Sequence, residues 1–492
     1  MSIQPNQVIY SIFVRNFSKE GTFQAVIPEL PRIKKLGVDI IWLMPIHPIG
    51  ELNRKGKDGS PYANYDFRAI NPEYGTLADF EALCDAIHKN GMKVMIDVVY
   101  NHTSPDSVLV QEHPEWFYYN EEGKRGNRVG DWTDIIDLDY QHRELRDYQI
   151  ESLCYWAKYV DGYRCDVAPL VPIDFWIEAR AAVAEVKSDF IWLSESVEFG
   201  FIKTLRQAGT VAHADAEMYQ AFDVLYDYDV HYLFHGYLRG TNKLSDYINR
   251  LNLQEVIYPV DYIKARNLEN HDNPRAKYLI GNEQDLLQWT AFQYFEKGFV
   301  LLYNGQEVQE TTEQTLFDID PVNWQAGRDI SAEIRHLNDI KKQYIPTTLT
   351  TRYELTPYDE LDAVVIEHQD KAQHFVAVCS FKRPRRPRAC AASTRATVRR
   401  SGRSTCPSRG GPVRSPCRPA RSACTMRRTT TRCAGSPWVE GPMSCATPCG
   451  PRPCTGARAR TSSMPSWRLA PAHPEGCVTV AGSGFAHAPA TV

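Results

Sequence analysis

Hydrophobic and polar positions alternate in a recurring order along residues 1–345. Short apolar runs rich in branched and aromatic side chains are followed by amphipathic stretches of helix length, two of which (23–36 and 77–90) are closed by a glycine. This order is typical of βα units that assemble into a parallel sheet. We predict eight strands, at 8–14, 39–44, 93–99, 163–166, 190–195, 222–226, 263–268 and 299–303. Eight such units predict an α/β fold, a (β/α)8 TIM barrel over residues 1–345, whose functional side chains lie at the carboxyl ends of the strands.

Two segments depart from the barrel pattern. Residues 101–141 are too long for an ordinary βα connection and are rich in Trp, Tyr, Gly and charged residues, which predicts a small subdomain inserted after the third strand. Residues 346–381 contain two short alternating runs, at 363–366 and 375–378. These runs predict the first strands of an incomplete C-terminal β-domain.

Residues 382–492 differ in composition from the rest of the chain. They hold 19 Arg, 15 Pro and 9 Cys, with one Leu, one Phe and no Ile or Tyr. A segment so poor in large apolar residues cannot form a core, which predicts disorder. The same composition is expected when a GC-rich gene is translated out of frame, and we favour that interpretation because the change is abrupt. The cysteine spacings, such as Cys445-x3-Cys449, match no zinc-binding pattern.

The net charge of −4 is the sum of a strongly basic tail and a strongly acidic body. The tail carries 20 basic and 2 acidic residues, whereas residues 1–381 carry 36 basic and 58 acidic ones. An acidic body favours a neutral or cationic ligand over nucleic acid. The body has only four, widely spaced cysteines, and the chain shows neither a secretory signal nor an apolar stretch long enough to cross a bilayer. We therefore expect a cytoplasmic protein without a nucleic-acid or membrane partner, and leave its oligomeric state open.

Four short segments place reactive side chains at the predicted strand ends. They are Asp97-Val98-Val99-Tyr100-Asn101-His102, Gly162-Tyr163-Arg164-Cys165-Asp166, Ser194-Glu195-Ser196-Val197 and Asn270-His271-Asp272. Taken alone, each residue has a structural explanation, since a single Asp at a strand end is usually a cap and a single Arg an ion-pair partner. Because the carboxyl ends of barrel strands share one rim, the carboxylates, imidazoles and guanidinium are expected to converge there. Such a set predicts a site that cleaves glycosidic bonds.

Asp166 and Glu195 supply the two carboxyl groups that this reaction requires. A retaining glycosidase needs a nucleophilic carboxylate and a second carboxyl group that acts first as an acid and then as a base. Arg164 lies two residues before Asp166 and on the same face, so it is expected to lower the pKa of Asp166 and keep that group ionised. Glu195 ends an apolar strand, and apolar surroundings raise the pKa of a carboxyl group. We predict Asp166 as the nucleophile and Glu195 as the acid and base.

Together with Ser60-Pro61-Tyr62, these segments resemble those of the α-amylase family, glycoside hydrolase family 13. The resemblance covers roughly residues 5–345. It implies a retaining enzyme of carbohydrate metabolism that acts on the α-glucosidic bonds of α-glucans or maltooligosaccharides, with Asp272 as a third catalytic carboxylate. The residues implied to bind the substrate are Tyr62, His102, Arg164 and His271, with Asp97 and Asn270 behind them.

A structural calcium ion is the one bound group that the resemblance implies. Asn101 would coordinate it, with help from Asp131, Asp134 and Asp137 of the inserted subdomain. The spacing of these residues fits no defined calcium loop. The predicted chemistry itself requires no cofactor.

The segment after the nucleophile departs from the family pattern. Many α-amylases carry a Lys-His pair shortly after this position, whereas this chain has Val167-Ala168-Pro169-Leu170. The departure leaves room for specificity toward maltooligosaccharides or for transglycosylation. The alternatives are a glucanotransferase or an α-glucoside isomerase that uses the same site, and a catalytically inactive carbohydrate-binding barrel, which the presence of all three carboxylates disfavours.

Overall fold

A closed barrel of eight parallel strands forms the centre of the protein. The computed structural model describes residues 3–129, 132–347 and 351–381, together with the two short strands at 468–469 and 477–481. The strands are β1 (Val8–Ile12), β2 (Ile40–Leu43), β3 (Lys93–Val98), β4 (His102–Thr103), β5 (Ile136–Asp137), β6 (Gly162–Cys165), β7 (Ile191–Ser194), β8 (Val224–Tyr226), β9 (Lys264–Arg266), β10 (Phe299–Tyr303), β11 (Arg352–Tyr358), β12 (Ala363–Gln369), β13 (His374–Ser380), β14 (Arg468–Leu469) and β15 (Cys477–Ala481). The barrel order is β1-β10-β9-β8-β7-β6-β3-β2, which confirms the predicted fold class.

Helices surround this barrel. They are α1 (Val14–Phe17), α2 (Phe23–Val26), α3 (Leu30–Lys35), α4 (Leu77–Lys89), α5 (Val108–Glu112), α6 (Arg143–Trp156), α7 (Ile173–Val186), α8 (Phe199–Gln207), α9 (Asp215–Met218), α10 (Tyr228–Leu238), α11 (Leu244–Ile257), α12 (Ala276–Ile280), α13 (Glu283–Phe295) and α14 (Ser331–Tyr344), with short 3₁₀ turns at Ile27–Glu29, Pro114–Trp116, Ala168–Leu170 and Gln306–Val308. The single helix expected at 23–36 is instead broken into α2, a 3₁₀ turn and α3. Pro28 and Pro31 stand at the starts of the second and third pieces, because a proline lacks the N–H that a helix interior requires.

Side chains alternate between the interior of the barrel and the helix layer. Trp42, Met95 and Leu193 belong to a cluster inside the barrel, whereas their neighbours along the strands pack into the larger core beneath the helices. This period of two is the one that a strand imposes. The register sets Asp97 opposite Arg164 on adjacent strands, so charged groups meet where the apolar interior ends.

The segment between β3 and α6 contains the small antiparallel pair β4–β5 and helix α5. In this pair His102 lies opposite Asp137. The inserted residues are thereby tied to the end of β3, and the subdomain begins next to the rim. No helix within the described ranges is both long and apolar enough to cross a membrane.

A second, mainly antiparallel sheet follows α14, in the order β11-β12-β13-β15-β14. Alternate residues of β12 and β13 are buried, and the Phe381 ring stacks on Trp289 of α13 at 3.8 Å. The strand β15 pairs in parallel with β13, at residues where we expected no folded structure. The strand has the sequence Cys-Val-Thr-Val-Ala, which favours a β-strand locally, but the composition of residues 382–492 as a whole hides so short a run. The other residues of 382–492, including the cysteines whose spacing was considered, lie outside the described residues.

Candidate active site

The predicted residues come together at the carboxyl end of the barrel. Asp97 lies on β3 and Arg164 on β6, and Asp166 and Glu195 each follow directly after their strands, β6 and β7. His102 lies on β4. The segment 270–272 follows β9, and Tyr62 lies on the connection between β2 and α4. The parallel strands β3, β6 and β7 deliver Asp97, Arg164, Asp166 and Glu195 to one rim although these residues are far apart in sequence.

The guanidinium of Arg164 is the centre of the site. Its Nη1 lies 2.8 Å from Oδ1 of Asp166 and 3.0 Å from Oδ1 of Asp97, and its Nη2 lies 2.8 Å from Oε1 of Glu195. All four side chains are buried. One cation therefore contacts three carboxyl groups that are shielded from water, and the three cannot all be ionised at low cost.

Burial controls the protonation of these carboxyl groups. It raises the pKa of Asp166 to about 7, against the lowering effect of Arg164, and Asp97 adds to the rise. Burial likewise raises the pKa of Glu195 to about 8, where Arg164 again opposes it. The expectation that Arg164 would hold the pKa of Asp166 below its ordinary value is therefore wrong, because desolvation outweighs one shared cation. Both carboxyl groups therefore hold a proton more readily than an exposed carboxyl group does.

A strained backbone position directly after Asp166 contacts Glu195. Val167 follows Asp166 and has φ 34°, a left-handed conformation that branched residues rarely adopt. Its N–H donates to Oε2 of Glu195 at 2.8 Å. This hydrogen bond favours the ionised form of Glu195 and thereby limits the rise of its pKa.

Two buried imidazoles are neutral: His271, which contacts Tyr62 and Asp272, and His102, whose neighbours lie in the inserted segment. Burial lowers the pKa of His271 to about 4 and also lowers the pKa of His102. Nε2 of His271 lies 2.7 Å from the Tyr62 hydroxyl and 3.1 Å from Oδ2 of Asp272, and the Tyr62 ring stacks on the His271 ring with centroids 5.4 Å apart. Neutral imidazoles in such a position can donate to sugar hydroxyls without adding positive charge.

The Asn270-His271-Asp272 segment is held by a tyrosine that sequence reasoning missed. Oδ1 of Asn270 accepts from the backbone N–H of Asp272 at 2.9 Å, and Nδ2 of Asn270 donates to the Tyr228 hydroxyl at 2.7 Å. The Asp272 side chain is 41% exposed, in contrast to the buried Asp166 and Glu195. Asp272 therefore faces the open side of the site, where a ligand would approach.

Two further aromatic residues surround Arg164. The Tyr226 hydroxyl accepts a hydrogen bond from its Nε at 3.4 Å, and the guanidinium lies 5.1 Å from the centre of the Trp42 ring. Both residues belong to the cluster inside the barrel. The sequence predicted that both residues lie on strands, but it did not predict their contact with Arg164. An aromatic residue that contacts a charged group inside a barrel has the same sequence pattern as one that only fills the core.

The described residues around Asn101 do not form a calcium site. Nδ2 of Asn101 lies near Nδ1 of His102 at 3.1 Å and donates to Oδ1 of Asp137 at 3.4 Å. Asp137 also pairs with Arg128 at 3.4 Å, and Asp134 pairs with Lys55 at 2.8 Å. No group of three or more His, Cys, Asp or Glu side chains placed to hold a metal ion occurs in the described ranges, and Asp131 lies outside them. Because basic side chains already contact both described carboxylates, these residues do not fit a divalent cation.

The protein is a (β/α)8 barrel. Its buried carboxyl–guanidinium cluster forms a polar site at the carboxyl-terminal rim. Residues 10–135 and 127–345 match the family model described as the alpha amylase catalytic domain. The chain belongs to the alpha-amylase family.

Solved structures and curated proteins agree with this assignment. An alpha-amylase from Lactobacillus plantarum is 48% identical, with a TM-score of 0.73 over 75% of this chain and 87% of that one. A maltogenic alpha-amylase from Thermotoga neapolitana is 35% identical, with a TM-score of 0.68 over 76% of this chain and 85% of that one. An alpha-1,4-glucan:maltose-1-phosphate maltosyltransferase from Cereibacter sphaeroides is 31% identical over 60% of this chain and 50% of its own length. The chain spans about half the length of the curated relatives it matches.

Proposed function

We propose that the protein is a retaining glycosidase that acts on the α-glucosidic bonds of α-glucans or maltooligosaccharides. The observation that carries this proposal is the sharing of Arg164 by Asp166 and Glu195, each 2.8 Å from a different nitrogen of one guanidinium. Retaining enzymes place their two carboxyl groups about 5–5.5 Å apart. Two carboxyl groups that contact the same guanidinium are separated by a distance of similar size.

In the proposed reaction Asp166 attacks the anomeric carbon while Glu195 protonates the leaving oxygen. The bond between that carbon and the oxygen breaks as an ester bond to Asp166 forms. Glu195, now ionised, then takes a proton from water, whose oxygen attacks the anomeric carbon and releases Asp166. The pKa of about 8 for Glu195 supports its protonation at neutral pH before the first step.

The remaining residues of the site are proposed to bind the sugar. Asp272 and the neutral imidazoles of His102 and His271 would hydrogen-bond hydroxyl groups, and these bonds accelerate the reaction where they tighten in the transition state. Tyr62 would contact the apolar face of the ring. Asp97 is a positioning residue, since it lies 3.0 Å from Arg164 and is fully buried. We place the activity in the cytoplasm, supported by four widely spaced cysteines that are all free in the described ranges.

Transfer to a second sugar instead of water is the other candidate activity. Half-buried Leu170, Val197 and Phe201 pack in one small apolar cluster, and Leu170 and Val197 follow closely after Asp166 and Glu195 in the chain. An apolar surface on the side of the leaving group disfavours water as the attacking group. The apolar face of an acceptor sugar can pack against the same surface. The maltosyltransferase name of a curated relative also supports this candidate.

Proton NMR of the products from maltoheptaose, followed from the first minutes, tests the proposal. A retaining hydrolase releases shorter sugars with the α-anomer in excess, whereas a transferase also makes longer ones. Asp166→Asn should remove nearly all activity, since the amide cannot form the covalent intermediate. Release of the β-anomer, or substantial activity in that variant, would contradict the assigned roles.

A further inference from the structure

Two connections at the rim are hydrogen-bonded to each other over the ends of β1, β2 and β10. We call residues 56–59, which follow β2, and residues 317–319, which follow β10, the rim bridge. The N–H groups of Asp58 and Gly59 both donate to the Phe317 carbonyl, at 2.9 and 3.0 Å. In addition, Oδ1 of Asp318 accepts from the N–H of Lys57 at 2.7 Å, and Oδ2 of Asp58 accepts from the N–H of Ile319 at 3.0 Å. Four hydrogen bonds therefore join segments that lie some 260 residues apart in sequence.

Arg15, which lies just after β1, stabilises the rim bridge through hydrogen bonds to its carbonyl groups. Its guanidinium is buried and donates to the carbonyl groups of Gly59 at 2.8 Å, Asp58 at 3.0 Å and Leu316 at 3.2 Å. The neighbouring Asn16 donates to the Thr315 carbonyl at 3.2 Å. A buried guanidinium that holds carbonyl groups of both connections stabilises the rim bridge as a wall of the site, because opening it would cost the guanidinium these three hydrogen bonds.

The rim bridge stands next to the sugar-binding groups and across the barrel from the acid. Tyr62, three residues after Gly59, stacks on His271. Leu316 and Tyr62 pack on the same cluster inside the barrel. In the barrel order β1 is diametrically opposite β7, the strand that ends at Glu195. The site therefore has the acid at one side and the rim bridge at the other.

In the proposed reaction the two sides of the site bind different parts of the sugar chain. The acid protonates the leaving oxygen, so the sugars of the leaving group lie on the Glu195 side and the remaining sugars extend away from it. We propose that the rim bridge limits the room for sugars on this second side, so that the enzyme attacks α-glucan chains from their non-reducing end and releases short units. This inference rests on the proposed function and specifies its substrate: a chain with a free non-reducing end.

Two forms of maltoheptaose test this inference, one unmodified and one with an ethylidene group that blocks the hydroxyls of the non-reducing terminal sugar. The enzyme is expected to cleave the unmodified sugar and to leave the blocked one intact. Comparable cleavage of both would overturn the inference while leaving the proposed function in place. If neither were cleaved, the proposed function would be wrong and the inference with it.

Gly56→Ala tests whether the rim bridge is the cause. Gly56 has φ 64°, and an added Cβ would lie 2.6 Å from both the Cβ and the carbonyl oxygen of Phe317. Gly123→Ala is the matched control, since Gly123 has φ 71° and nothing within 4 Å of the added atom. Both variants carry the same backbone strain, but only the first pushes the two connections apart. Gly56→Ala should gain cleavage of the blocked sugar relative to the unmodified one, and Gly123→Ala should not.

Asp318→Ala is a second variant, in case the first does not fold. It removes the acceptor of the Lys57 N–H without adding an atom, and its folding can be verified by circular dichroism. It should also gain cleavage of the blocked sugar. If folded Gly56→Ala and Asp318→Ala both left the blocked sugar intact, the rim bridge would not set the preference.

Discussion

Asp97→Asn is expected to move the acidic limb of the pH–activity profile to lower pH. Asp97 and Asp166 lie 3.0 and 2.8 Å from the same nitrogen of Arg164. Two carboxylates held in this way are roughly 5 Å apart, and with an effective dielectric constant of about 20 their repulsion is about 3 kcal/mol, or roughly two pH units. The amide removes this repulsion and leaves the guanidinium to the other two carboxyl groups.

The direction of the shift follows from the proposed role of Asp166. As the proposed nucleophile, Asp166 must be ionised to attack, so the acidic limb of kcat/KM should report its ionisation in the free enzyme. Burial raises the pKa of Asp166 to about 7, and the Asp97 charge contributes to that rise. Without this charge the pKa falls, and the active form persists to lower pH. Burial also raises the pKa of Asp97 to about 7, so Asp97 is only partly ionised where Asp166 titrates, and the expected displacement is about one pH unit.

The assay is kcat/KM for maltoheptaose between about pH 4 and pH 10, the range in which these carboxyl groups titrate. Asp223→Asn is the matched control, because Asp223 is paired with Arg180 at 2.5 Å at the opposite end of the barrel and does not contact Arg164. It should leave both limbs in place. An acidic limb that stays fixed, or moves upward, in the Asp97→Asn enzyme would refute the like-charge explanation.

Three further predictions concern stability. Glu195→Gln should raise the melting temperature at alkaline pH and change it little near pH 4, since a carboxyl group whose folded pKa is raised to about 8 loses its contribution to stability as the pH rises through that value. The gain in the free energy of unfolding at alkaline pH should be on the order of 5 kcal/mol, since burial raises the pKa of Glu195 from 4.5 to about 8. Phe381→Ala, which removes the ring stacked on Trp289, should cost about 3–5 kcal/mol of unfolding free energy in a denaturant titration. Dialysis against EDTA should leave the melting temperature and the rate unchanged, because Lys55 already neutralises Asp134.

Each of these predictions has a result that contradicts it. An equal gain in melting temperature at acidic and alkaline pH would attribute the effect of Glu195→Gln to packing rather than to ionisation. Tyr358→Ala, at a 44% exposed position of the same sheet, is the control for Phe381→Ala. An equal loss of unfolding free energy in the two variants would mean that the stacked ring adds no stability of its own. A loss of stability in EDTA that added calcium restores would place a metal in this protein.

The barrel and the arrangement of the candidate site were predictable because both depend on local patterns. A parallel strand shows as a short apolar run, and its carboxyl end is fixed by where that run stops. Asp166 and Glu195 follow such runs directly, so their meeting at one rim needed only the topology. The pKa of Asp166 was harder, since Arg164 is visible two residues away in the sequence, whereas the depth of burial that outweighs it is not.

The residues that the prediction missed in the site and at the rim have partners distant in sequence. Tyr228 follows a strand like any buried aromatic residue, and only the fold places its hydroxyl on Asn270. Arg15 has the pattern of an ordinary charged residue after the first strand, yet it is buried and joins connections that follow the second and the eighth strand of the barrel. The residues that perform a reaction must sit at strand ends and are therefore visible in the sequence. The residues proposed to select its substrate need only touch a loop from elsewhere in the sequence, so the proposed chain-end specificity can be inferred only from the closed barrel.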